Sequence, residues 1–163
     1  NGADSRGGPW GYSGRGPFTV VTGTGNRRGL GIQQIPDGSS NVILLAEVRA
    51  GTVGIDPRGV WAWGLAGSST IVAHADGDCR LPNDQAGNNS ATCSDDVRDA
   101  PSTPGMSNWT SCNSNQATSR SQHTAGVNVA FADGSVRFIS NSVNQQTWWL
   151  LNASHDGLPL PNF

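Results

Sequence analysis

Alternating hydrophobic positions near the C-terminus predict a β-hairpin. Val127, Val129 and Phe131 are separated by small or polar residues, which is the period of a strand with one buried face. The dipeptide Asp133-Gly134 follows, and a second alternating run comes directly after it. Because Asp-Gly readily takes the positive φ angles of a type I′ turn, we predict two antiparallel strands joined at this point.

Two further stretches carry an apolar pattern. The run at 42–46 follows a turn-forming Pro-Asp-Gly-Ser-Ser segment and has the length of a buried strand. After the hairpin, a helix is predicted over 143–152, with Asn141 or Ser142 as its cap. Its apolar face is expected to contain Val143, Thr147, Trp148, Leu150 and Leu151.

These elements predict an α+β fold: a head rich in antiparallel β-sheet, with long loops and a short C-terminal helix. The length of 163 residues fits one domain, 1–163. Within it, 1–17 is expected to be an irregular segment and 80–120 a long polar loop region.

Composition excludes several classes of function. Charged residues make up 13% of the chain and the net charge is −2, so a basic face for nucleic acid is not expected. Lysine is absent, which excludes Schiff-base chemistry, and Glu47 is the single glutamate. No apolar run reaches 18 residues, so no membrane span is expected in this chain.

The cysteines lie in the polar region and indicate an oxidising compartment. Cys79 with Cys93 is the favoured disulfide, Cys93 with Cys112 is the next choice, and three reduced thiols are the alternative. The missing Cys-x-x-Cys spacing argues against a zinc ribbon or a redox pair.

Two groups of residues are candidate ligand sites. His74, Asp76 and Asp78 alternate, so in an extended segment they point the same way and could hold Ca²⁺. Ordinary turn chemistry explains the same residues. Trp61 and Trp63 are expected to share one face of a short strand, as core residues or, if both are exposed, as a platform for a sugar ring.

Candidate acid and base groups are weighed against structural roles. Glu47 ends the apolar run, and an ion pair with an arginine or a role as a cap is favoured over a functional buried acid. Nine residues of extended strand would span about 30 Å, so His123 is not expected to reach Asp133. We expect His123 to bond to backbone at the strand entrance and Asp133 to make the turn. A hydrolase would need His123 or His74 within about 3 Å of a carboxylate and a nucleophile.

Three segments resemble elements of a bacterial prepilin-type (type IV pilin- or pseudopilin-like) family. Residues 35–47 resemble the family's DGTSNTILLGE element, and 121–139 resemble its C-terminal signature of His, nine residues and Asp-Gly. Asp56-x-Arg58-Gly59-x-Trp61 resembles a third element, and the three together span roughly 30–157. Thr124-Ala125 departs from the Pro-Gly that is frequent there. The matching residues include Asp37, Gly38, Asn41, Glu47, His123, Asp133 and Gly134.

The resemblance implies a pilin-like head that acts as a structural subunit and not as an enzyme. It implies export to the cell surface or beyond, self-assembly or surface display, and no cofactor. Family members begin with a leader and a long apolar helix, so we expect this chain to be the C-terminal part of the head or a mature fragment. The expected partners are copies of the chain, a missing N-terminal segment or sister pilin-like subunits. The alternatives are a glycan- or Ca²⁺-binding extracellular module and a hydrolase that uses His and Asp.

Overall fold

The computed structural model has a small antiparallel sheet covered on one face by a helix. It describes residues 16–18, 31–64, 67–71, 81–84, 95, 97, 99–106, 117–154 and 157–163. The elements are a 3₁₀ helix Ile32–Gln34, strands β1 Ile43–Ala46, β2 Gly126–Phe131 and β3 Val136–Ser140, and helix α1 Gln145–Asn152. The sheet order is β1-β2-β3 with both pairs antiparallel, which confirms the predicted α+β class.

The core lies between the sheet and α1. Alternate residues of the central strand face inward, and the helix packs its apolar side against them. The buried cluster consists of Ile43, Val127, Val129, Phe131, Ile139, Trp148 and Leu151. No helix of the described part of the chain lies on the opposite face of the sheet, and Leu45, Val136 and Phe138 are exposed there.

The predicted hairpin is confirmed, but its turn differs from the expected one. The Phe131 amide donates to the Ser135 carbonyl at 2.8 Å, and the Gly134 amide donates to the Phe131 carbonyl at 2.9 Å. Within this loop only Gly134 has a positive φ, 87°, so Asp133 does not take the type I′ conformation. The connection is a three-residue loop, a type I turn followed by a left-handed glycine.

The apolar run at 42–46 forms an edge strand and not the fully buried strand that its composition suggested. Val42 and Ile43 are buried, whereas Leu45 is 60% exposed. A register shift between Ile43 and Leu45 marks a bulge against β2. With one face on the core and one in solvent, an antiparallel edge strand buries only alternate side chains.

Helix α1 begins two residues later than the pattern predicted. Asn144 is its cap and accepts hydrogen bonds from the Gln146 and Thr147 amides at 2.9 and 3.4 Å, so the proposed caps Asn141 and Ser142 were wrong. Val143 precedes the cap and packs against the core, as in a hydrophobic staple. The predicted buried face is confirmed at Thr147, Trp148, Leu150 and Leu151.

The polar tract 80–120 contributes a second, smaller group of contacts. Val97, Ala100 and Ala117 form a separate buried cluster, and Asp95 pairs with Ala117 in an isolated bridge. Where the chain is described, it contains no helix that has both the length and the apolar character needed to cross a membrane.

Candidate functional site

The two longer segments of the resemblance meet at the hairpin loop. The Ala132 amide donates to the Val42 carbonyl at 2.9 Å, and the Asp133 amide donates to the Ser39 carbonyl at 3.0 Å. About ninety residues separate the partners, yet they are joined by two backbone hydrogen bonds. The Asp-Gly loop is therefore fixed by the segment that precedes β1 as well as by its own turn.

Residues 35–41 form a turn that holds its own shape. The Asn41 side-chain amide donates to the Asp37 carbonyl at 2.9 Å, and Gly38 has a φ of 90°, a conformation that favours glycine. The Asp37 carboxylate accepts the Gly157 amide at 2.9 Å, which attaches the C-terminal segment to the same turn. These signature residues thus connect three parts of the chain.

The Asp133 side chain organises the loop around Ser135. Its Oδ1 accepts the Ser135 amide at 2.9 Å and the Ser135 hydroxyl at 2.7 Å. These two hydrogen bonds lower the pKa of Asp133 below its usual value. The carboxylate is placed for turn formation, since its donors come from two residues along the same loop.

Glu47 is the centre of a polar group on the outer side of the sheet, which we call the Glu47 cluster (Glu47, His123 and Asn128). The Glu47 Oε2 accepts the Asn128 amide at 2.7 Å, and Oε1 accepts the Asn128 side chain at 3.3 Å. The His123 Nε2 lies 3.0 Å from Oε1. Side-chain exposure is 53% for His123 and 33% for Glu47. The cluster therefore joins the end of β1 to β2 and to the loop before it.

The cluster corrects two expectations. Among the described residues, Glu47 pairs with His123 and Asn128 and not with an arginine, and the His123 ring bonds to a carboxylate where a backbone partner was expected. Desolvation raises the pKa of Glu47, but the hydrogen bonds from Asn128 and His123 outweigh it, so the net shift is downward. The carboxylate is held in its charged form.

The Ser121 hydroxyl, two residues before this histidine, is not arranged as a nucleophile. Ser121 Oγ donates to the Gly126 carbonyl at 2.6 Å and accepts the His123 amide at 3.1 Å. Its proton is directed to a backbone carbonyl, whereas an activated serine directs it to the imidazole. His123 and Glu47 form a His–carboxylate pair, and Ser121 does not extend it into a triad.

A second polar group is buried; we call it the Arg58 cluster (Asp56, Arg58, Asp95 and Arg120). Arg58 makes a bidentate pair with Asp56, with Nε–Oδ1 at 2.9 Å and Nη2–Oδ2 at 2.6 Å. Asp95 Oδ2 lies 2.8 Å from Arg120 Nε and 3.4 Å from Arg58 Nη1. The Arg58 guanidinium also donates to the Pro101 carbonyl at 2.8 Å. Two carboxylates thus neutralise two guanidinium groups.

Only half of this cluster was predicted from the sequence. Asp56 and Arg58 were noted as a shared motif, but nothing indicated that Asp95 and Arg120 join them. Burial raises the pKa of Asp95, against the opposing attraction of Arg120 and Arg58. Only 13% of the residues are charged, so each arginine beside a predicted core element is a candidate for a buried ion pair. Arg120, which directly precedes the segment 121–139, was the signal available in the sequence.

The tryptophan pair lies on a turn and not on the predicted strand. The Trp63 amide donates to the Val60 carbonyl at 3.0 Å, which places Trp61 at the tip of a tight turn. Trp61 is 87% exposed and Trp63 is 52% exposed, so neither is a core residue. The interpretation as core residues is therefore wrong, and the ligand platform stays a prediction.

The remaining predicted sites lie outside the described residues. These are the candidate metal ligands His74, Asp76 and Asp78 and the cysteines Cys79, Cys93 and Cys112. The metal site and the disulfide therefore stay predictions.

Comparison with known proteins identifies a family for this chain. Residues 2–146 match the model of a family described as "Protein of unknown function (DUF1559)". No curated protein matches the chain, and no solved structure matches it. The match spans both polar clusters and β1, β2 and β3.

Proposed function

We propose a non-enzymatic structural role for this chain, which belongs to the DUF1559 family. The description of that family assigns no function. In this proposal it is the extracellular head of a pilin- or pseudopilin-like protein. It is exported and acts by assembling with copies of itself, or with sister subunits, into a filament or a surface layer. It needs no cofactor for this role.

One observation carries the proposal: the residues of the family resemblance hold the fold together. Glu47 joins the end of β1 to β2 through Asn128, and the Asp133 amide donates to the Ser39 carbonyl. Asp37 accepts the Gly157 amide. Residues that form a structural junction in this way are expected in a subunit whose function is its shape and surface.

The outer face of the sheet supports an assembling role. Leu45 is 60% exposed, Val136 68% and Phe138 51%, and all three belong to the face opposite α1. Apolar groups gathered on one exposed face mark interaction surfaces more often than isolated exposed residues do. The low proportion of charged residues lowers the electrostatic cost of bringing copies together.

The test is electron microscopy of the native full-length protein at the surface of cells that produce it, combined with light scattering of the purified protein. We expect filaments or a layer that antibodies against the chain decorate, and a scattering mass that rises with concentration. A protein that stays monomeric at high concentration, with no decorated assembly on the cells, would contradict the proposal.

A second candidate function is glycan binding at the tryptophan turn. The observation in its favour is the exposure of Trp61 and Trp63, since aromatic faces with a polar edge are suited to stacking on sugar rings. Tryptophan fluorescence titration with oligosaccharides would test it, with Trp61→Ala as the binding variant and Trp148→Phe as the buried control. Equal responses from the parent and Trp61→Ala would exclude this site.

A further inference from the structure

Strand β3 presents an open edge of the sheet. Among the strands that the structure describes it pairs only with β2, on one side, and four of its five residues are exposed. The Phe131 amide bonds to the Ser135 carbonyl, so by alternation Arg137 and Ile139 direct their backbone groups toward β2. Val136, Phe138 and Ser140 therefore direct theirs away from the sheet.

Most of these outward groups have no partner. The Ser140 carbonyl accepts the Val143 amide at 3.1 Å. Within the described residues, the outward amides and carbonyls of Val136 and Phe138 have none. A row of unpaired backbone donors and acceptors is a template for another strand.

The two edges of the sheet are protected differently. The edge strand β1 has four residues and a bulge. The backbone carbonyl of the next residue, Glu47, accepts the Arg120 amide at 2.9 Å, so another segment covers that end of the strand. Strand β3 has no bulge, no proline and no lysine. Its one charge, Arg137, lies over the Phe131 ring at 4.9 Å from the centroid. Proteins usually protect an exposed edge strand with a bulge, a proline, a lysine or a covering segment. Compared with β1, β3 is therefore the less protected edge.

We propose that two copies of this chain pair through β3, antiparallel and about a two-fold axis, to give one continuous six-stranded sheet. The proposal deepens the proposed function and rests on it, because it assigns one contact of the self-association. A second copy fits this edge because an antiparallel strand related by a two-fold axis presents the same row of donors and acceptors in return.

Charge selects the register. With Phe138 opposite Phe138 of the second copy, all five residues of each β3 are paired, and Arg137 faces Ile139. With Arg137 at the centre, two guanidinium groups would face each other across a non-hydrogen-bonded pair with Cα atoms about 4.5 Å apart. Like charges directly opposite are destabilising, so we assign the register centred on Phe138.

The outer face continues across this contact. The Phe138 ring covers Gly126 of β2, where a Cβ atom would lie 2.5 Å from the ring. This packing holds the ring on the sheet, and about half of its surface stays exposed. In the paired sheet the two Phe138 rings become cross-strand neighbours, an aromatic pair that favours association.

The first test uses Phe138→Cys in the full-length chain under mild oxidation. In the proposed register the two Cα atoms are about 5.5 Å apart, within the range of a disulfide, so we expect a covalent dimer. Val136→Cys is the matched control on the same strand, because its two copies would lie roughly 14 Å apart along the strand direction. The unmodified chain controls for the native cysteines. Linking by Val136→Cys as readily as by Phe138→Cys would overturn the register.

The second test is Phe138→Lys, with self-association measured by light scattering and assemblies counted by electron microscopy. We expect association to weaken by about tenfold or more, since the aromatic pair is lost and two ammonium groups face each other. If the parent assembles, but Phe138→Lys assembles equally and Phe138→Cys does not link, the β3 contact is wrong and the proposed function stands. If the parent itself stays monomeric, the proposed function fails as well.

Discussion

The Arg58 cluster and the Glu47 cluster use the same chemistry in opposite surroundings. Both join segments that are far apart in sequence by hydrogen bonds to carboxylates. Side-chain exposure is at most 3% in the ion pairs of the Arg58 cluster, but 53% and 33% for His123 and Glu47. We therefore expect the contacts of the two clusters to contribute differently to stability.

In the buried cluster the charges depend on each other. Each carboxylate lacks water to replace a lost guanidinium, so removing one partner leaves an unpaired charge in a region of low dielectric constant. In the Glu47 cluster, water can take the place of His123, and only the two bonds from Asn128 are partly shielded. The first cluster is therefore expected to be needed for folding, and the second to adjust the contact between β1 and β2.

The largest effect is expected from Arg58→Ala. It leaves Asp56 and Asp95 buried beside a lone Arg120, and we expect the free energy of unfolding to fall by about 3–5 kcal/mol. Urea denaturation followed by circular dichroism measures the change. Arg49→Ala, outside both clusters, is the control and should change the free energy of unfolding by less than about 0.5 kcal/mol. Equal losses from the two variants would show that the buried cluster has no special role.

An intermediate effect is expected from Glu47→Gln, and it should depend on pH. At neutral pH we expect a loss of about 1 kcal/mol, because the charged acceptor for Asn128 is removed at a partly exposed site. The pKa of Glu47 is lowered by folding from its usual 4.5, so its contribution is present above that pH and is lost as the pH falls through the folded value. The difference in the free energy of unfolding between the parent and Glu47→Gln should therefore become smaller in acid.

Asp95→Asn should show the opposite trend in the same titration. The pKa of Asp95 is raised above its usual 3.8, so the folded state holds this proton more tightly than the unfolded state does. The stability linked to that proton is present below pH 3.8 and is lost as the pH rises through the folded value. As the pH falls, the free energy of unfolding of the parent should therefore rise relative to that of Asp95→Asn. The same trend with pH for Glu47→Gln and Asp95→Asn would contradict the assigned directions of the two pKa shifts.

The smallest effect is expected for the pair His123 and Glu47. A double-mutant cycle of His123→Ala and Glu47→Gln should give a coupling of about 0.2–1 kcal/mol in the free energy of unfolding, as for exposed ion pairs. Any Coulombic part of the coupling should fall with added salt, because exposed charges are screened. A coupling of several kcal/mol that resists salt would mean that the pair behaves like a buried one.

Local patterns predicted the local elements well. The period-two run at Val127, Val129 and Phe131 predicted β2, and the buried face of α1 was also predicted correctly. The turn type was wrong because Asp133-Gly134 suits two hairpin loops, and contacts from Ser39 and Val42 favour the longer one. The boundaries of such elements depend on neighbours that the local sequence does not specify.

The candidate sites were less predictable because their partners are distant in the chain. Asn128 and His123 reach Glu47 from about eighty residues away, and Asp95 reaches Arg58 across 37 residues. No periodicity records a pairing of that kind. Trp61 was misassigned for a related reason: alternation with Trp63 suggested a strand, but a tight turn closed by the Val60 carbonyl produces the same spacing.

The pairing of β1 with β2 also has a consequence for biosynthesis. Ile43 lies opposite Phe131, so in a nascent chain β1 cannot pair with β2 until more than eighty later residues have emerged. Ribosomes add roughly 5–20 residues per second, so this delay lasts several seconds. During that time the apolar run around Ile43 is exposed to solvent, which makes it a natural binding segment for a chaperone that receives the chain before folding is complete.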